Sequence, residues 1–287
     1  MTDEERAERR RADVNWPQNR KNLGGRSGKQ SLSPHDSVVL WLFIARTGMN
    51  MTRTAALFHI RRHVCCRRFV TMTHYLRDFC RMEFPLLSAA KLKASIPPRF
   101  NKFAQEQGIE TFVVHILDGF EKQFQCPSDD EVRSAFWSSY KHLYTVKWLL
   151  DLLSAGAFYW LSDGCPGSIT DPAQIETSGF LDLLEEGIDA MVDKGFLIGE
   201  LLERRGSICW MPPKMRHGQS RATSEESDDT STIARLRIFV EHAVLRIKEW
   251  GWFSCQAALK ISQVHLHNDV ARIIAMLCNL RSPLISQ

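Results

Sequence analysis

From Thr111 onward the chain alternates short apolar runs with stretches of helical period. That alternation restricts it to a mixed sheet with helices on its faces, because each element has one apolar side to bury. Thr111 to Leu117 is rich in β-branched and apolar residues, the composition of a buried strand, and it delivers Asp118 at its end. TVKWLLDLLS and AGAFYWLSD read as two further strands joined by a Ser-Ala-Gly turn. Residues 178–184 read as helix, DAMVDKGF as a short strand ending in Asp193, GELLERRG as a helix and SICWMPP as a last short strand. Thr232 to Trp250 is an amphipathic helix with Ile233, Leu236, Val240, Val244 and Ile247 at steps of three and four. Arg237, Glu241 and Lys248 project from one side of it. A final helix is expected around Asp269 to Leu280.

An order of three strands, then helix, strand, helix, strand and helix brings strand ends and a helix face around one crevice. Asp118, Asp193 and Glu241 would stand there as three oxygen donors, the set that holds two hard divalent cations for phosphoryl transfer. Taken one at a time they are ordinary. A strand-end Asp is most often a turn former, and Arg237 with Glu241 at i,i+4 is a common surface pair. Their ordering along the chain gives them weight.

Charge is unevenly placed. Residues 1–90 carry 16 Lys and Arg against 8 Asp and Glu, a net of +8, and the remainder sums to −4. A basic front and an acidic rear fit a nucleic-acid-holding part followed by a metal-holding part. Residues 1–30 lack periodicity and read as a disordered basic tail. In residues 31–98, Ser33 caps a helix that starts at Pro34 and ends near Gly48, and Thr52 caps a short helix. A turn at His59 and Ile60 leads to a longer helix from Arg62 to Met82. This is a helix-turn-helix outline whose Arg61, Arg62, Arg67 and Arg68 would contact DNA. The other reading is a helical hairpin with a solvated basic face. Pro85 and then Ile96-Pro97-Pro98 mark the boundary, so residues 99–287 form the second part, with a polar insertion at 212–231.

The eight cysteines form no CxxC pair, which argues against a zinc site and for reduced thiols. The charged N-terminus is no secretory signal, and no apolar run is long enough to span a bilayer. An intracellular protein without a membrane partner is expected. His63, His74 and His115 read as packing or surface residues, and Trp148, Trp160 and Trp210 as core.

Several blocks in order resemble a known family: SSYKHLYTVK (138–147), SDGCPGSITD (162–171), SGFLDLLEEGIDAMVDKGF (178–196), RIFVEHAVLRIK (237–248) and LCNLRSPL (277–284). Together they are similar to the DDE superfamily endonucleases of the PIF/Harbinger transposase type, and residues 32–60 to the helix-turn-helix that precedes the nuclease. The resemblance implies an α/β, RNase H-like nuclease domain behind a small all-α module, cutting and joining DNA with Mg²⁺ or Mn²⁺, two ions being expected. Carried over, the catalytic acids and metal ligands are Asp118, Asp193 and Glu241. Asp171 is a runner-up ligand or supporting residue, and Asp163 a turn residue. Arg237, Lys248 and Lys141 would meet phosphates. The resemblance also implies nuclear DNA as substrate, a separate Myb-like DNA-binding partner and room for a homo-oligomer. Lys122 and Gln123 put polar groups just beyond Asp118. The alternative is therefore a domesticated copy, catalytically weak or inactive, that binds DNA or protein.

Overall fold

The structure, a computed structural model, describes residues 32–108, 110–193, 195–212, 224–254, 263–282 and 284, with 224–231 as backbone only. The expected basic tail, most of the polar insertion and Cys255 lie outside the described residues.

Helix α1 (Pro34–Thr47) starts as its sequence dictates: Ser33 Oγ accepts from the Asp36 N–H at 3.0 Å, Pro34 takes the first turn, and Gly48 closes the helix at φ 66°. Helix α2 (Met51–Leu57) is capped by Asn50, whose Oδ1 accepts from the Arg53 N–H at 2.9 Å. The expected cap, Thr52, is already inside the helix. Helix α3 (Arg62–Glu83) follows a turn in which His59 adopts φ 52°. Two short helices, α4 (Ala89–Ala94) and α5 (Pro98–Gln107), occupy the proline-marked stretch.

The sheet begins with β1 (Val113–Gln123), which runs five residues past Asp118. The expected end at Leu117 is corrected by pairing: β1 is hydrogen-bonded antiparallel along β3 (Leu143–Leu153) from His115↔Leu153 to Gln123↔Thr145. Between them lie α6 (Asp130–Phe136) and β2 (Trp137–Ser138). β4 (Phe158–Leu161) and the two-residue β5 (Cys165–Pro166) also pair antiparallel with β3. The turn into β4 uses Gly156 at φ 87°, where L side chains are strained.

Helix α7 (Asp171–Ser178) precedes α8 (Phe180–Leu183), so helix begins earlier than the sequence reading had it, with Gly179 as the break. β6 (Asp189–Met191) pairs parallel with β1, α9 is Gly199–Glu203, and β7 (Cys209–Trp210) pairs parallel with β6. Helix α10 (Ser224–Lys248) starts eight residues before Thr232, inside the stretch read as insertion. Helices α11 (Gly251–Ser254) and α12 (Val264–Cys278) complete the described elements.

The strand order β4-β3-β1-β6-β7, antiparallel on one side of β1 and parallel on the other, is the RNase H-like arrangement. One face carries Ile116, Phe120, Trp148 and Leu150 against α10, α11 and α12. The same core takes in Leu40, Trp41, Ile44 and Phe69 of α1 and α3. Residues on both sides of Pro97 therefore share it. Trp41, Phe69 and Trp252 stack in sequence, and Arg77 Nη1 bonds Asp269 Oδ2 at 3.1 Å, tying α3 to α12. The opposite face packs Leu117, Leu149 and Ala190 against Ile175, Phe180, Ile198 and Leu202 of α7, α8, α9 and the loop before α9.

Candidate functional site

Register sets the site. Ile116 and Met191 are parallel partners and both face the α10 side. Side chains alternate along a strand, so Asp118 and Asp193, each two residues further on, emerge on that same side. β6 ends at Met191 while β1 continues, so Asp118 meets no backbone partner on the β6 side. That opens the sheet where the two aspartates stand. Helix α10 lies on β1 through buried Ile233, Leu236, Val240, Val244 and Ile247, all of the expected apolar stripe. Glu241 is on its exposed side.

Three of the expected residues are brought together. Burial pushes the Asp118 carboxyl up to about 6; Asp193 and Glu241 add to the rise, while Arg237 and the Gly119 N–H hold it down. The Gly119 N–H donates to Asp118 Oδ1 at 2.9 Å and fixes the carboxylate. Arg237, expected on phosphates, is only 6% exposed and its Nη1 donates to Asp193 Oδ1 at 3.0 Å. It bonds Asp193, which lies two residues past the end of β6 and not at the expected strand end, rather than forming an i,i+4 pair with Glu241, because α10 turns it inward toward β6. Its Nε is buried with no acceptor among the described residues.

Lys248 lies on the same side of α10. Burial lowers its pKa and so does Lys141, while Asp118 and Glu121 oppose the shift. Lys248 thus feels both Asp118 and Lys141, the latter in the turn between β2 and β3. Arg61, Arg62 and Arg67 are exposed at the start of α3 and Arg68 is half-buried. They lie on a different element from the acids.

Asp171 is placed elsewhere. Its Oδ1 takes an ion pair with Lys147, a residue on the sheet face opposite Trp148 and Asp118, so it is not assembled with the three acids. Asp163 accepts from Asn268 and Arg272, each at 2.8 Å. Two acids missed by sequence reasoning organise the backbone. Asp189, 4% exposed, accepts from the Phe112 N–H at 2.8 Å and the Ile208 N–H at 2.7 Å, linking the entries to β1 and β7. Asp151 pairs with His115 at 2.8 Å, both side chains fully buried. Alternation within the strands would have signalled both, since a polar residue at an inward position needs a partner.

Among the described residues, no three His, Cys, Asp or Glu side chains stand close enough to enclose a cation as they are. The donor chemistry nevertheless fits a hard cation: three carboxylates without thiolate or imidazole, one of them with raised proton affinity. The thiols of Cys65, Cys66, Cys80, Cys126, Cys165, Cys209 and Cys278 are free. Among the described residues no helix is long and apolar enough to cross a membrane.

Residues 117–280, more than half of the chain, match the family described as DDE superfamily endonuclease. No curated protein matches. Among solved structures the chain is distantly similar to the Mos1 transposase paired-end complex with left transposon end, at 9% identity and a TM-score of 0.24 over 96% of this chain and 86% of that one. It is also distantly similar to a pre-cleavage Mos1 transpososome, at 6% identity and a TM-score of 0.21 over 98% and 89%.

Proposed function

The chain belongs to the DDE superfamily endonucleases, and on that premise we propose that it is a divalent-metal-dependent DNA endonuclease that cuts and joins DNA as a transposase. The observation that carries this is that the buried Asp118 carboxyl feels the charges of both Asp193 and Glu241. These three would hold Mg²⁺ or Mn²⁺, which supplies Lewis acidity and an activated oxygen nucleophile for in-line displacement at phosphorus. Asp118 is anchored by Gly119 and enters the chemistry ionised, so protons compete with the cation for it more strongly than for an ordinary carboxylate.

Arg237 offsets the acid cluster from within, holding Asp193 in place when the three carboxylates are ionised. Lys248 and Lys141 would take the backbone phosphates beside the scissile bond. Arg61, Arg62, Arg67 and Arg68 would hold flanking duplex from α3. Nuclear DNA, a Myb-like partner and a homo-oligomer belong to this reading through the family alone.

Nicking of supercoiled plasmid with Mn²⁺ or Mg²⁺ tests it. Wild type should nick and Asp193→Ala should not; equal nicking by both proteins would sink the assignment. The second reading, a DNA- or protein-binding module without catalysis, is favoured by Arg237 occupying Asp193. It predicts DNA binding by wild type with no nicking under either metal.

A further inference from the structure

The face of the sheet turned away from the three acids carries an ion pair whose ends reach both aspartate-bearing segments. Lys147 stands on β3 directly opposite Glu121 of β1, and its stem crosses β1 over Gly119, the residue after Asp118. A Cβ at Gly119 would lie 3.0 Å from Lys147 Cε. The ammonium pairs with Asp171 Oδ1 at the start of α7, where the two side chains are 12% and 27% exposed. The other oxygen, Asp171 Oδ2, would lie 3.1 Å from a Cβ at Gly195, two residues after Asp193. Gln174, fully buried one turn along α7, donates to the Lys147 carbonyl at 3.4 Å.

Backbone pairing cannot set the spacing of the two aspartates. The β1–β6 ladder stops at Ile116↔Met191, two residues short of both. Beyond that point the contacts from Gly119 through Lys147 and Asp171 to Gly195 bridge the open end of the sheet. Glycine at each end admits the pair at distances a side chain would crowd. From this juxtaposition we infer that Lys147 and Asp171 are positioning residues: a strut on the far face that holds the backbone after Asp118 at a set distance from the backbone after Asp193. The inference rests on the reading of Asp118, Asp193 and Glu241 as a metal site, and it gives Asp171 a supporting role in place of a ligand's.

Two near-isosteric variants, Asp171→Asn and Lys147→Met, decide between strut and ligand. Mn²⁺ affinity measured by calorimetry should weaken about tenfold in both, because each breaks the same support. If Asp171 were instead a ligand, Lys147→Met would remove a neighbouring cation and tighten Mn²⁺ binding. Lys147→Met binding Mn²⁺ as tightly as wild type, or more tightly, overturns the strut.

A second readout needs no metal. The Phe196 N–H, which donates to the Asp193 carbonyl at 2.9 Å, should exchange with deuterium about tenfold faster in both variants, while amides in α1 are unchanged. Unchanged Phe196 exchange in both overturns the strut. Should wild type bind no Mn²⁺, the metal reading falls, and Phe196 exchange alone decides the strut.

Discussion

Replacing Asp118 by Asn should stabilise the apo protein at neutral pH while abolishing cleavage. Burial pushes the Asp118 pKa up from an ordinary 3.8 to about 6 in the folded protein. Between those pH values the native state keeps a proton that the unfolded chain has lost. The linkage is therefore the reverse of a salt-bridged aspartate's: stability falls as pH rises from about 4 to about 6 and stays low above. A shift of two units corresponds to about 3 kcal/mol of strain at neutral pH. Asn cannot ionise, yet its side-chain oxygen can still accept the Gly119 N–H. In buffer with a chelator, urea unfolding at about pH 8 should show Asp118→Asn more stable by up to about 3 kcal/mol, or roughly 6 °C in Tm. At about pH 4.5 the gain should shrink to about 1 kcal/mol. A stability difference that is the same at both pH values would refute the reasoning, since a packing effect does not titrate. Added Mn²⁺ should then raise the Tm of wild type and leave Asp118→Asn unmoved.

Three further outcomes are expected. Lys141→Ala with Lys248→Ala should weaken DNA binding and reduce the slope of log affinity against log salt by about 1.8; an unchanged slope in a fluorescence-anisotropy titration would remove both lysines from the phosphate contacts. Arg237→Met should drive the Asp118 pKa above about 6 and move the acid limb of Mn²⁺-dependent nicking to higher pH, because Arg237 is the main charge holding that pKa down; an unmoved limb would contradict its place beside Asp118. Gly251→Ala should destabilise by about 2 kcal/mol or more, because its Cβ would lie 2.2 Å from the Thr47 carbonyl carbon where α11 crosses the end of α1; a Tm equal to wild type would mean that this crossing gives way freely.

Much of this fold is legible in the residues. Ser33, Pro34 and Gly48 punctuate α1 where the structure punctuates it, and the stripe of Ile233, Leu236, Val240, Val244 and Ile247 is buried throughout. Such signals are local, set by capping and by the period of one element. The extent of β1 is not local. The composition predicts a strand end at Leu117 with Lys122 and Gln123 as polar groups beyond it, yet Lys122 is 8% exposed and in register with Val146, so the ladder with β3 overrides the polar composition. The start of α10 fails for a related reason. Ser224 to Thr230 reads as a polar insertion, although acidic residues near a helix N-terminus favour helix.

At the site, the blocks single out the three acids, and in the structure Asp118 feels the charges of the other two. What joins them cannot be read there. Arg237 meets Asp193 across 44 positions, and Lys147 meets Asp171 across 24 from the other face. Those pairings depend on which side of the sheet each segment crosses, which no window of sequence records. The pairing of Arg237 with a carboxylate in place of a phosphate, and of Asp171 with Lys147, comes from that tertiary placement.

Metal binding by the three acids is tested most directly by anomalous diffraction at the manganese edge from crystals grown with Mn²⁺. The metal reading predicts a peak at ordinary Mn–oxygen distance, about 2.0–2.4 Å, from carboxylate oxygens of Asp118 and Asp193, with Glu241 turned toward it and Asp171 still on Lys147. A crystal with Mn²⁺ bound elsewhere and none on Asp118, in protein that still nicks DNA, would contradict it.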